Sequence, residues 1–297
     1  MPLSWIPQEP QVPPDQLARG RVHLRFEDVS QDGHMVVEAI PQSLRAVWRA
    51  LAKTRPPLPP GLIAVLSRVV SEVGEGPLGV DAAASAEGCY QLAHTIGPDG
   101  GVDKLVLLMW VRVVAMVGRT HLPPPPDEGR TVVAGRVFSE HVFTRPFGPP
   151  AERKVKTLDL GAGPFVPEDR YVWHDPQELL VLPEGAAPLD PEPVLDEATT
   201  IFGLDHTDSN QHVNSLVYPR LFTEAALRRL DALGRGAPRL VRRVDIAFRK
   251  PCFAGERARI ASRAFAVEEG AGITGVLTAE GDAPGRPRCV ARLVFDR

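Results

Sequence analysis

Cysteine is scarce in this 297-residue chain: Cys89, Cys252 and Cys289 are an odd number with no C-x-x-C spacing. That excludes a disulfide framework, argues against a zinc site and leads us to expect a reducing, cytoplasmic setting. Charge of one sign is lacking too. Lys and Arg number 34 against 37 Asp and Glu, a formal net charge of −3, so the overall field gives no pull toward nucleic acid or an anionic membrane. Long apolar runs are absent. The longest, Leu105–Val117, is interrupted by Arg112 and is too short to span a bilayer. The first ten residues, M-P-L-S-W-I-P-Q-E-P, lack the basic start and apolar core of a signal peptide. Familiar catalytic and ligand loops are missing as well. There is no G-x-S-x-G, and the G-x-G at Gly161 and Gly163 runs into Pro164 with no third glycine. An EF-hand starting at Asp208 would need Gly at 213 and Glu at 219, where Val213 and Pro219 stand. His206 and His212 have few hard ligands around them, so no metal and no cofactor is expected.

Proline, by contrast, is plentiful. Much of its 31 residues falls in the first fifteen positions, 56–60, 123–126 and 146–193. These clusters mark loops and divide the chain into a tail (1–20), a first half (21–160), a linker (161–196) and a second half (197–297). In the first half, Arg21–Val29 alternates like a strand. Ile40, Leu44, Val47, Trp48 and Leu51 share one helical face, and Gly61–Val73 reads as a second short helix. Strands are expected around Tyr90–Ile96, Lys104–Val117, Thr131–Thr144 and Lys154–Leu160; for the second of these, length does not exclude a buried helix. The second half repeats the plan. A short strand at Thr199–Leu204 and a long helix precede strands at Leu240–Lys250, Glu256–Glu268, Thr274–Glu280 and Arg288–Phe295. Turns are expected at G-A-G (270–272) and G-D-A-P-G (281–285). Strand, helix and consecutive antiparallel strands, twice over, give an α+β fold with a sheet curled round one helix per half, without the βα alternation of a parallel sheet.

The stretch D-H-T-D-S-N-Q-H-V-N-S-L-V-Y-P-R-L-F-T-E-A-A-L-R-R-L, from Asp205 to Leu230, concentrates the chemistry. Asp208, Asn210, His212 and Asn214 stand at every second position, so an extended backbone would set them in one polar row. A helix follows, with Val217, Leu221 and Ala225 on its apolar stripe, widened by Tyr218, Phe222 and Leu230. Asn214 or Ser215 can cap it, while Pro219 looks slightly too deep for the free first turn. A carboxylate or imidazole can take a proton from water. A carboxamide can hold that water, and the N–H groups of a helix start can polarise a carbonyl oxygen. Such parts suit attack of water on an activated acyl group.

These residues resemble the signature of the hotdog superfamily, most closely of the acyl-ACP thioesterases built from two hotdog halves: D-x-N-x-H-V-N, then Tyr, then Glu on the helix. Here they are Asp208, Asn210, His212, Val213, Asn214, Tyr218 and Glu224. V-D-I-A-F-R-K-P-C-F-A-G-E is similar to the family's following strand and turn, and D-V-S-Q-D-G-H-M to its N-terminal strand and turn. The resemblance implies a double hotdog fold, catalytic roles for Asp208, Asn210 and His212, and supporting roles for Asn214, Tyr218, Glu224 and Cys252. The family's acidic residue before that cysteine is replaced by Pro251. The first half offers only Asp32-Gly33-His34, so it is expected to line the acyl pocket while the second half carries the chemistry.

Arg228, Arg229, Arg235, Arg239, Arg242 and Arg243 cluster in sequence; Arg228 and Arg242 are candidates to meet an acidic carrier protein or coenzyme A phosphates. The expected function is hydrolysis of a fatty or polyketide-like acyl thioester on acyl carrier protein or coenzyme A. The alternatives are a hotdog acyltransferase, dehydratase or cyclase of a biosynthetic pathway, which Pro251 favours, and a non-catalytic acyl-binding protein. A homodimer is one option for assembly.

Overall fold

The computed structural model describes residues 4–55, 57–80, 82–119, 123–161, 163–236, 240–268 and 270–296. The chain forms two compact units. One comprises Met1–Met35, Ile40–Val69 and Gly74–His174; the other comprises Val36–Ala39, Val70–Val73 and Asp175–Arg297. The linker expected at 161–196 is therefore shared, its first part going with the first unit and the rest with the second.

The first unit contains strands β1 (Leu17–Val22), β2 (Ile63–Val73, whose last four residues belong to the second unit), β3 (Ala84–Ile96), β4 (Val102–Met116) and β5 (Thr131–Thr144). They lie in the order β1-β3-β4-β5-β2, and β1, β3, β4 and β5 pair antiparallel. Helix α1 (Arg45–Thr54) packs on β1 and β3, preceded by a 3₁₀ turn over Ile40–Leu44. Three expectations change here. The opening strand is Leu17–Val22, and Phe26–Asp28 is a 3₁₀ turn in which Arg25 holds the Asp28 carboxylate. Residues 63–73 are a strand and not a helix: Ile63, Val65, Val69, Val70 and Val73 are β-branched, which suits a pleated surface. Lys154–Leu160 forms only a two-residue strand at Leu158–Asp159. The undecided apolar run is strand β4, buried continuously from Leu105 to Val111. Cover on both faces explains why its sequence does not alternate; Trp110, for one, donates from Nε1 to the Pro7 carbonyl of the N-terminal segment.

The second unit contains helix α2 (Val217–Ala232) and strands β6 (Val241–Phe248), β7 (Arg257–Val267), β8 (Gly270–Ala279) and β9 (Cys289–Asp296). Their order is β6-β9-β8-β7, all antiparallel, and α2 packs across all four. It buries Tyr218, Leu221, Phe222, Ala225 and Leu230, most of the stripe read from the sequence, while Val217 is half-buried. Pro219 falls in the first turn, where its missing N–H costs no helical bond. The glycines at 270–272 are not a turn. They lie inside β8, where a Cβ on Gly270 would stand 2.0 Å from the Phe295 carbonyl oxygen and one on Gly272 2.2 Å from that of Leu293. Close backbone approach, not chain reversal, requires glycine there. Thr199–Leu204 shrinks to a strand at Thr200–Ile201 and a 3₁₀ turn at Leu204–His206.

Candidate active site ahead of helix α2

The approach to α2 is a closed turn, not an extended row. Thr207 and Val213 form a β-bridge, the Asp208 N–H donates to the His212 carbonyl (3.2 Å), and the Gln211 N–H donates to the Asp208 carbonyl (2.9 Å). Gln211 closes the reversal at φ 64°, the left-handed region that non-glycine residues seldom enter. Asp and Asn bend the chain by binding their own backbone, and here Asp208 does so: Oδ1 accepts from the Asn210 N–H at 2.8 Å. Asp208 Oδ2 accepts from the Asn214 carboxamide at 3.2 Å. The Asn214 oxygen takes the Leu216 N–H at 2.9 Å, which caps the turn leading into α2. The loop thus brings Asp208 and Asn214 together. Asn210 is exposed at its tip, and His212 is half-buried, its Nδ1 3.3 Å from the Val213 carbonyl oxygen.

Tyr218 and Cys252 support this loop. The Cys252 N–H donates to the Tyr218 hydroxyl at 3.0 Å, and the Cys252 carbonyl accepts from the Val213 N–H at 2.8 Å. Tyr218 is held edge-on to Phe248 with ring centroids 5.5 Å apart. Burial pushes the Cys252 thiol above its usual range, outweighing the Tyr218 hydrogen bond and the Arg288 charge. Pro251 offers only its carbonyl, which accepts from Arg288. Arg288, 3% exposed, also binds Asp282 and Glu256.

The remaining candidates lie elsewhere. Glu224 is exposed on α2, where its charge acts on Arg228 one turn on. Arg228 pairs with Asp196 and Arg242 with Asp296, so both guanidinium groups have partners within their own unit. Arg229 pairs with Asp190; Arg239 lies outside the described residues. His206 turns its Nδ1 to the Gly203 N–H at 3.1 Å, a capping contact. In the first unit, Asp32 and His34 flank Gly33 (φ 84°) in a turn that Ser30 closes by donating to the His34 carbonyl at 2.9 Å.

Sequence reasoning missed Glu38, which belongs to the second unit and accepts a 3.4 Å hydrogen bond from Thr223 on α2. Burial raises its carboxyl above the ordinary range, against the pull of Arg220 and Thr223. No motif surrounds it, so nothing in the sequence marked it.

No family model matches the sequence, and no curated relative does. Solved structures do match. An acyl-ACP thioesterase from Bacteroides thetaiotaomicron VPI-5482 aligns with TM-score 0.59 at 14% identity, over 94% of this chain and 98% of that one. The 12:0-ACP thioesterase from Umbellularia californica aligns with TM-score 0.54 at 14% identity, over 94% and 96%. The chain thus has a double hotdog fold, shared with these two structures.

Proposed function

We propose that the protein is a thioesterase that hydrolyses a fatty or polyketide-like acyl group carried on acyl carrier protein or coenzyme A. The observation that carries this reading is the turn ahead of α2, which holds the Asp208 carboxylate and half-buried His212 beside a helix start. Asn214 and the Asn210 N–H fix the carboxylate, so its orientation costs little when substrate arrives. In the proposed reaction Asp208 or His212 takes a proton from water, and the water oxygen attacks the thioester carbonyl. First-turn N–H groups of α2 stabilise the negative charge that grows on the carbonyl oxygen. The C–S bond then breaks, the sulfur leaves with the transferred proton as a thiol, and the acyl group leaves as a carboxylic acid. Asn210, at the tip of the turn, is assigned to hold water or substrate.

Pro251 supports a second reading, transfer or dehydration on the same fold, because the family's acidic position here supplies only a backbone carbonyl, occupied by Arg288. One experiment separates the two. The protein is incubated with a panel of acyl thioesters while free thiol and acyl products are followed by mass. Release of free acid with stoichiometric thiol is expected, and Asp208→Asn and His212→Ala should each lower turnover about a hundredfold or more with the fold intact. Wild-type turnover in both variants, or products other than free acid, would overturn the assignment.

A further inference from the structure

The first unit holds a buried polar pair that the proposed chemistry does not use. Ser139 and His141 lie on β5 and are 0% and 5% exposed. Among the described residues, neither Ser139 Oγ nor His141 Nδ1 has a hydrogen-bond partner. Both point to the helical side of the sheet. A Cβ on Gly135, of the same parity, would stand 2.8 Å from the Ile40 side chain in the turn before α1. The His141 ring meets Trp48 of α1 edge-on at 5.1 Å. The register sets Met109 opposite Ser139 and Leu107 opposite His141, and both are fully buried. Burial holds the imidazole neutral against one hydrogen bond between the ring and the Leu107 backbone, so Nδ1 is the ring atom left open.

Two unsatisfied polar atoms in an apolar wall are uncommon, because each forfeits the hydrogen bonds it made in water. A neutral imidazole nitrogen and a serine hydroxyl together can both give and accept a hydrogen bond. The group that answers both is another hydroxyl. Resting on the thioesterase reading, and on the expectation that the first half lines the acyl pocket, we propose that Ser139 and His141, on the helical face of the first unit's sheet, select acyl chains that carry a hydroxyl group. The selectivity follows from asymmetry: a plain chain leaves both atoms unpaired, and a hydroxylated one pairs them.

Calorimetric binding of free fatty acids to the full chain tests this independently of turnover. The ligands are dodecanoic acid, 3-hydroxydodecanoic acid and 12-hydroxydodecanoic acid. At least one hydroxy acid should bind tenfold or more tightly than dodecanoic acid. Ser139→Ala and His141→Phe, with folding checked by circular dichroism, should erase that gap, so that each variant binds the hydroxy acids no more tightly than it binds dodecanoic acid. Equal affinity of all three acids for the wild type would overturn the proposal and leave the pair to buried water, and no binding of any of them would overturn it too. A gap that survives in both folded variants would place the hydroxyl elsewhere. A hydroxyl preference in a protein that hydrolyses no thioester would sink the thioesterase reading and keep this one.

Discussion

Cys252 shows how neighbours decide what a reactive residue does. Its thiol is fully buried, and burial raises its pKa. A nucleophilic cysteine needs the opposite, an environment that favours the thiolate. Its backbone instead joins the Tyr218 hydroxyl to the candidate loop through Val213. Cys252→Ala is therefore expected to keep most activity, and intact-mass measurement during turnover should find no acyl adduct on the wild type. An adduct lost in Cys252→Ala would move the protein toward acyl transfer. The motif was legible at this scale because Asp208, Asn210, His212 and Asn214 carry their chemistry as residue types. The partners were not: nothing in the sequence says that Asn214 reaches back to Asp208, or that Glu38 meets α2 at Thr223.

At the scale of elements, the packing of α2 depends on more than its apolar face. Asp190, 1% exposed, binds Arg229 of α2 and accepts the Ala264 N–H of β7 at 2.8 Å. The Arg263 guanidinium donates to its backbone carbonyl at 2.9 Å. Burial alone would raise this carboxyl, but Arg229 and the Ala264 N–H hold it below the usual range. Asp190→Ala leaves the half-buried Arg229 and the Ala264 N–H without their acceptor, so it should destabilise the protein by about 2 kcal/mol. Chemical denaturation would measure the loss, and an unchanged midpoint would show that the pair contributes nothing. Both α-helices and most long strands were legible from period and β-branching, but β2 read as a short helix and β4 was undecided. The exceptions have physical causes. Gly270 and Gly272 look like a turn because glycine serves both reversal and close approach. The polar row looked extended because period two is the mark of a strand, yet Asp208 spends its side chain on bending the chain.

For the whole molecule, acid sensitivity is the accessible test. His141 is depressed to about 4 from an ordinary 6.5 by burial. The unfolded chain therefore binds its proton first as pH falls. Its contribution is fully present above 6.5 and is lost progressively between about 6.5 and 4. That loss amounts to roughly 3 kcal/mol at most. Glu38 and Glu140 act oppositely, since burial raises both and protonation relieves the folded state. The difference between wild type and His141→Phe cancels their terms. Stability measured from pH 7 to pH 4 should fall less steeply in His141→Phe, and parallel curves would show that the ring is not held neutral.

The sequence by itself determined the α+β plan, helix α2 with most of the stripe it buries, and which side chains are candidates for chemistry. Each depends on local period or on side-chain type, which a linear chain displays directly. The tertiary structure alone decided that Pro219 sits harmlessly in the first turn, and that Arg228 and Arg242 find Asp196 and Asp296. It alone buried Ser139 Oγ and His141 Nδ1 without partners. Those outcomes turn on which groups distant in sequence come within hydrogen-bonding reach, and on which are left out of it. Composition and spacing carry no record of that.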